Sequence, residues 1–191
     1  DKNYFLSIFS RLLKAYSPIG KELDSLADVV SFGVAPGLMI YSKIIETSQI
    51  AGYPQWLSWF ALLIPVFSAL RLAKFNIDER QTASFLGLPT PANALFWAFG
   101  IAFALSGAIR FQYIPLFLIL GVFVFSALLV SEIPMFSLKF KNMSFRDNKI
   151  QFIFLSCCLF LLIIFGMSGI SACIMLYILL SAFNSIFVNN K

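Results

Sequence analysis

Gly20, Asp24 and Asp28 recur every fourth residue within RLLKAYSPIGKELDSLAD, residues 11–28. On a helix that spacing puts all three on one face. Two carboxylates one turn apart, with a glycine above them leaving backbone room, form a seat for a divalent cation and a phosphate group. Oxygen-only ligation suits Mg2+ or Mn2+, which keep waters and borrow phosphate oxygens. The plainer alternative is a pair of helix-start carboxylates favoured by the helix dipole. Two acids at i and i+4, beside Gly20 and the basic Arg11, Lys14 and Lys21, favour the functional reading. A second charged cluster, RLAKFNIDER, holds Arg71, Lys74 and Arg80, with Asn76, Asp78 and Glu79 at the same depth. Taken singly, these bases read first as orientation charges. Arg71 stands nearest the preceding apolar run, where a guanidinium can grip phosphate or carboxylate with two hydrogen bonds. Arg71 and Lys74 are therefore the candidate substrate-binding bases.

These clusters interrupt a chain that is otherwise apolar. Of 191 residues, 60% are hydrophobic and only 12% charged, and the mean hydropathy is +0.87. A soluble domain would carry about 25% charged residues. Several apolar runs approach the roughly 20 residues needed to cross a bilayer. They are continuous rather than alternating, which argues against a β-barrel. The net charge of +5 lies between the apolar runs, where it orients the chain and meets anionic headgroups, so no nucleic-acid partner is expected. The absence of histidine leaves acid–base chemistry to Asp, Glu, Lys or Tyr. Cys157, Cys158 and Cys173 fall inside apolar runs and read as buried, inert thiols.

The elements that must position the two clusters follow from the runs and their breaks. The expected fold is an all-α, polytopic membrane bundle, a single domain over residues 1–191. It has about six full transmembrane helices plus an N-terminal partial helix. YFLSIFSRLLK is too short to span and reads as the last turns of a helix whose beginning is missing. Pro18 suits the first turn of the next helix, which carries the acidic face and crosses to about residue 45. Gly33, Pro36 and Gly37 predict a kink or close helix contact there. Residues 46–54 read as a loop, and Trp56 and Trp59 open a second span, about 56–73, at headgroup level. Gly87, Pro89 and Pro91 break and restart the chain. Further spans follow at about 92–109, 113–130, 150–165 and 169–187, with a polar connector over 133–149. On this topology one side collects eleven of the fourteen basic residues, Lys43 and Arg110 fall on the other, and Lys2 lies in the stub. By the positive-inside rule the rich side is cytoplasmic, and both charged clusters share it.

SPIGKELDSLAD resembles the second half of the signature of the CDP-alcohol phosphatidyltransferases, D-x-x-D-G-x-x-A-R, eight residues, then G-x-x-x-D-x-x-x-D. Arg11, Gly20, Asp24 and Asp28 match that spacing without a gap. IGKELDSLADVVSFGVAPG, ALRLAKFNID and GLPTPANA look like the family's bacterial phosphatidylserine synthase branch. The resemblance implies a homodimeric enzyme of the bacterial inner membrane with its active site facing the cytoplasm. It would use Mg2+ or Mn2+ to transfer a phosphatidyl group from CDP-diacylglycerol to L-serine, releasing CMP. Asp24 matches a metal-binding position. Asp28 matches the catalytic base, also close to metal, and Arg11 and Gly20 match positions lining the nucleotide pocket. The first half of the signature departs: the expected Ala falls on Ser10, the Gly on Ser7 and the two Asp on Leu6 and Asn3. That departure predicts weak metal binding and an incomplete or diverged start. It keeps open a non-catalytic membrane protein of the same fold, and other acceptors such as glycerol 3-phosphate or inositol.

Overall fold

A computed structural model describes residues 18–77, 85–105, 112–135 and 148–188. Helices dominate because, without water, a membrane-embedded backbone must satisfy its hydrogen bonds within itself. Helix α1 (Pro18–Val29) passes through a π-helical turn (Val30–Val34) into α2 (Ala35–Ala51). A 3-10 helix (Gln55–Leu62) leads into α3 (Leu63–Ile77). Strand β1 (Phe85–Leu86) precedes α4 (Thr90–Leu105) and α5 (Ile114–Val130). Strand β2 (Pro134–Met135) then precedes α6 (Lys149–Phe165), a 3-10 turn (Gly166–Ser168) and α7 (Gly169–Val188).

Among the described residues, three helical stretches are long and apolar enough to cross a membrane: Glu22–Ala51, Gln55–Ile77 and Ile150–Ser185. They make the chain an integral membrane protein, while the count of six spans remains an expectation. The third stretch, 36 residues long, would reach about 54 Å as one helix against a hydrocarbon core of about 30 Å. It is folded as a hairpin instead, reversing at Gly166 with φ of 56°. Cys173 Sγ lies 3.7 Å from the Cys158 carbonyl, and the Phe154 and Tyr177 rings are 5.9 Å apart. These contacts recede from the turn in antiparallel order.

The expected kink appears as the π-helical turn. Pro36 has no N–H to give to Phe32, and its ring crowds that carbonyl. The wider turn relieves the clash, with Ala35 N–H bonding to the Val30 carbonyl. Gly33 inside this turn and Gly37 just beyond it let the helix close on α3. A Cβ on Gly33 would sit 3.0 Å from Ser68 Cβ, and one on Gly37 2.9 Å from Pro65 Cδ. Lipid is as apolar as leucine, so such close packing is what holds membrane helices together.

Three expectations need correction. Cys157 is exposed, and Cys158 and Cys173 are only partly buried, because in a membrane bundle apolar helix faces can meet lipid instead of protein. The first membrane helix runs to Ala51 rather than about residue 45, so the loop expected over 46–54 shrinks to Gly52–Pro54. Two of its polar residues bond within the helix: Lys43 pairs with Glu46 at 3.1 Å, and Thr47 Oγ1 donates to the Lys43 carbonyl at 2.7 Å, whereas the buried Ser48 Oγ has no partner among the described residues. The break at 85–91 also contains an unexpected antiparallel bridge, Phe85 with Met135 and Leu86 with Pro134. Gly87, at φ 73°, lies on the end of α5. A Cβ there would meet the Ser131 and Leu129 carbonyls at 2.7 and 2.8 Å. Gly87 N–H bonds to the Ile133 carbonyl at 3.0 Å, and Leu88 N–H to the Leu128 carbonyl at 2.9 Å. The strap thereby satisfies a carbonyl that the helix end leaves open.

The core lies between α2, α3, α4, α5 and the hairpin. Phe96 stacks on Phe125 at 4.0 Å, and Trp97 meets Phe125 edge-on at 5.4 Å. Ser171 Oγ donates to the Phe96 carbonyl at 2.8 Å, tying α7 to α4. The outward faces carry exposed Phe160, Ile163 and Phe183, as a lipid-facing bundle should. Replacing Gly37 by Ala should destabilise the protein by about 1–3 kcal/mol through overpacking against the proline ring. Gly20→Ala, whose Cβ meets nothing within 4 Å, should leave the thermal midpoint in detergent unchanged or raise it. Equal losses in both variants would refute this packing account.

Candidate active site

Helix α1 presents Gly20, Asp24 and Asp28 along one face, with Asp24 exposed and Asp28 half-buried. Its docking is specific. Asn76, at the end of α3, donates through Nδ2 to Ser25 Oγ at 3.0 Å. That bond joins the helix bearing both acids to the helix bearing Arg71 and Lys74. The acidic face and the basic cluster, separate in sequence, thus belong to two packed elements.

Arg71 is not a solvated orientation charge. Only 7% of its surface is exposed, and no carboxylate among the described residues lies within ion-pair distance of it. Its Nη1 donates to Thr90 Oγ1 at 3.5 Å, a long bond by the usual range. Nε is buried and has no partner among the described residues. Tyr177, buried on α7, lies within electrostatic range of the guanidinium, so the C-terminal hairpin borders the site. Lys74 Nζ meets Glu132 Oε1 at 3.1 Å. Both groups are largely in solvent, so this bridge is worth at most about 1 kcal/mol. Arg71 and Lys74 line a small cleft with Phe75, Leu86, Leu129, Val130 and Ser131. The cleft is small, with room for about one water-sized group.

Among the described residues no cluster of three or more His, Cys, Asp or Glu could hold a metal. Asp24 and Asp28 still fit part of an oxygen-ligated divalent site. They repel each other at i and i+4, and a cation between them would relieve that repulsion. Its other ligands would have to be phosphate oxygens or groups from elsewhere. Arg11, together with Asn3, Leu6, Ser7 and Ser10, lies outside the described residues, as do Asp78, Glu79, Arg80, Arg110, Lys139, Lys141 and Arg146.

Ser25, Thr90 and Glu132 were not identified as site residues from sequence. Ser25 stands between the two acids, and Thr90 lies in LPTPAN, read only as a helix break. Glu132, an isolated carboxylate at the end of an apolar run, was the readable signal for a partner to the basic cluster.

Residues 8–132 match the family profile described as CDP-alcohol phosphatidyltransferase. A CDP-diacylglycerol–serine O-phosphatidyltransferase of Bacillus subtilis is 35% identical over 131 residues, 69% of this chain and 66% of the relative. The protein of that name from Mycobacterium leprae is 38% identical over 134 residues, 66% of this chain and 42% of the relative. One from Helicobacter pylori J99 is 41% identical over 88 residues, 45% of this chain and 35% of the relative. The chain thus spans between about a third and two thirds of the length of these relatives. The family match stops before β2 and leaves the α6–α7 hairpin outside it. A double-mutant cycle on Ser25→Ala and Asn76→Ala should give a coupling of about 0.6–1.7 kcal/mol in thermal or denaturant unfolding. Strict additivity would mean that the bond does not dock α1.

Proposed function

This chain belongs to the CDP-alcohol phosphatidyltransferase family, and from that premise we propose that it transfers a phosphatidyl group from CDP-diacylglycerol to L-serine. The products are phosphatidylserine and CMP. Members of this family are generally dependent on a divalent metal. The observation that carries the reading is the Ser25–Asn76 bond, which docks α1, the helix that carries Asp24 and Asp28, on α3, the helix that carries Arg71 and Lys74. The names of the relatives favour serine over glycerol 3-phosphate or inositol as acceptor.

In this mechanism Asp28 accepts the proton of the serine hydroxyl. The serine oxygen forms a bond to the phosphorus that bears diacylglycerol. The bond from that phosphorus to the bridging pyrophosphate oxygen breaks, and CMP leaves with the electron pair. Asp24 and Asp28 would hold Mg2+ or Mn2+, which when bound would supply neutralising charge to the pyrophosphate. Arg11 and Gly20 line the nucleotide pocket, and Arg71 and Lys74 hold anionic oxygens of the substrates. The lipid tails stay in the bilayer while serine and CMP exchange with the cytoplasm. The enzyme is proposed to lie in the bacterial inner membrane as a homodimer.

A second reading rests on Asn3 and Leu6, which stand where the family signature has Asp. Leu6 offers no ligand atom and Asn3 only a neutral, weaker one, which favours a non-catalytic protein of the same fold. A mixed-micelle assay with CDP-diacylglycerol, L-serine and Mn2+ separates the two. CMP release that falls about 10²–10⁴-fold in Asp28→Asn supports the enzyme. No release, even after Asn3→Asp, Leu6→Asp and Ser7→Gly are combined, supports the non-catalytic reading and sinks the first.

A further inference from the structure

We infer that Thr90 is a positioning residue that aims the Arg71 guanidinium at an anionic oxygen of a substrate, an inference that rests on the transferase reading above. A guanidinium has a side-on edge, made by Nε–H and the adjacent Nη2–H, which matches two oxygens of a phosphate or carboxylate. Thr90 Oγ1 takes a hydrogen bond from Nη1, the nitrogen outside that edge. Nε, on the edge, is buried and has no partner among the described residues. A buried donor left unpaired is costly, and a bound anion would satisfy it.

Thr90 can aim the arginine because it is itself immobilised. It is 1% exposed and begins α4 directly after the strap. Gly87 and Leu88 bond to the Ile133 and Leu128 carbonyls, and Gly87 lies too close to the end of α5 to admit a Cβ. Asn93 N–H bonds back to the Pro89 carbonyl at 3.0 Å, closing the first turn. Leu86, Leu129 and Ser131, from the strap and the end of α5, also wall the cleft that contains Arg71. One rigid unit therefore builds the cleft wall and tethers the arginine. The ligand chemistry is an anionic oxygen pair, found in the pyrophosphate of CDP-diacylglycerol and in the carboxylate of serine.

The test uses the full chain in detergent micelles and compares Thr90→Val, Thr90→Ala and Thr90→Ser with wild type. Two readouts are taken: binding of inorganic phosphate by titration calorimetry, and kcat and KM for each substrate. Losing the hydroxyl should weaken phosphate binding and raise the KM for one substrate by about 10-fold, with kcat held within about threefold. Thr90→Ser should return both to within about twofold of wild type. The substrate whose KM moves identifies the source of the anion. Wild-type phosphate affinity and KM in a folded Thr90→Val or Thr90→Ala variant would overturn the inference. A Thr90→Ser variant as impaired as Thr90→Val would do so too, since packing rather than the hydroxyl would then matter. If the wild type releases no CMP, the transferase reading fails while phosphate binding still decides the role of Thr90. Absence of phosphate binding in the wild type overturns the inference directly.

Discussion

Arg71 carries a charge inside a bundle whose outer faces are apolar, and no carboxylate among the described residues stands beside it. Taking an ion out of water costs several kcal/mol unless hydrogen bonds and charges repay it. Much of the surrounding architecture can be understood as the means of holding that group. Thr90 tethers one nitrogen, and the strap over the end of α5 fixes Thr90. Tyr177 lies within electrostatic range of it, on a hairpin beyond the family match. Lys74, one turn further along α3, is moderated by Glu132. On the proposed reading, a guanidinium held this way is preorganised before an anion arrives, which spares reorganisation during the reaction.

The same helix that carries Arg71 must also receive the acidic helix. That is possible because the α2–α3 contact is made of glycine, serine and proline. Gly33 and Gly37 allow approach distances that a Cβ would crowd. The π-helical turn ahead of Pro36 lets α1 and α2 remain one continuous element despite the missing hydrogen bond. A break at that proline would have freed α1 and its two aspartates from α3. Backbone accommodation and the geometry of the site are therefore one problem, solved within residues 30–37.

The helical class, the membrane setting, the helix restart near residue 90 and the shared face of Gly20, Asp24 and Asp28 were all readable in the residues. Each depends on local quantities: the length of an apolar run, a period of 3.6 or the stiffness of proline. The extension of α2 to Ala51 was less readable, because Glu46 and Thr47 look like the start of a loop until they bond to Lys43 within the helix. The hairpin turn at Gly166 was expected, whereas the strand bridge over the end of α5 was not. Two-residue strands leave no period to detect.

By itself the sequence determined which side chains could bind a cation or an anion, because residue type and helical spacing are properties of a short stretch. Only the tertiary structure decided which of them meet. Arg71 finds Thr90 across 19 residues, Asn76 finds Ser25 across 51, and Lys74 finds Glu132 across 58. Such pairings arise when helices pack, and burial, which turned Arg71 from an orientation charge into a held guanidinium, is set by everything around it rather than by its neighbours in the chain.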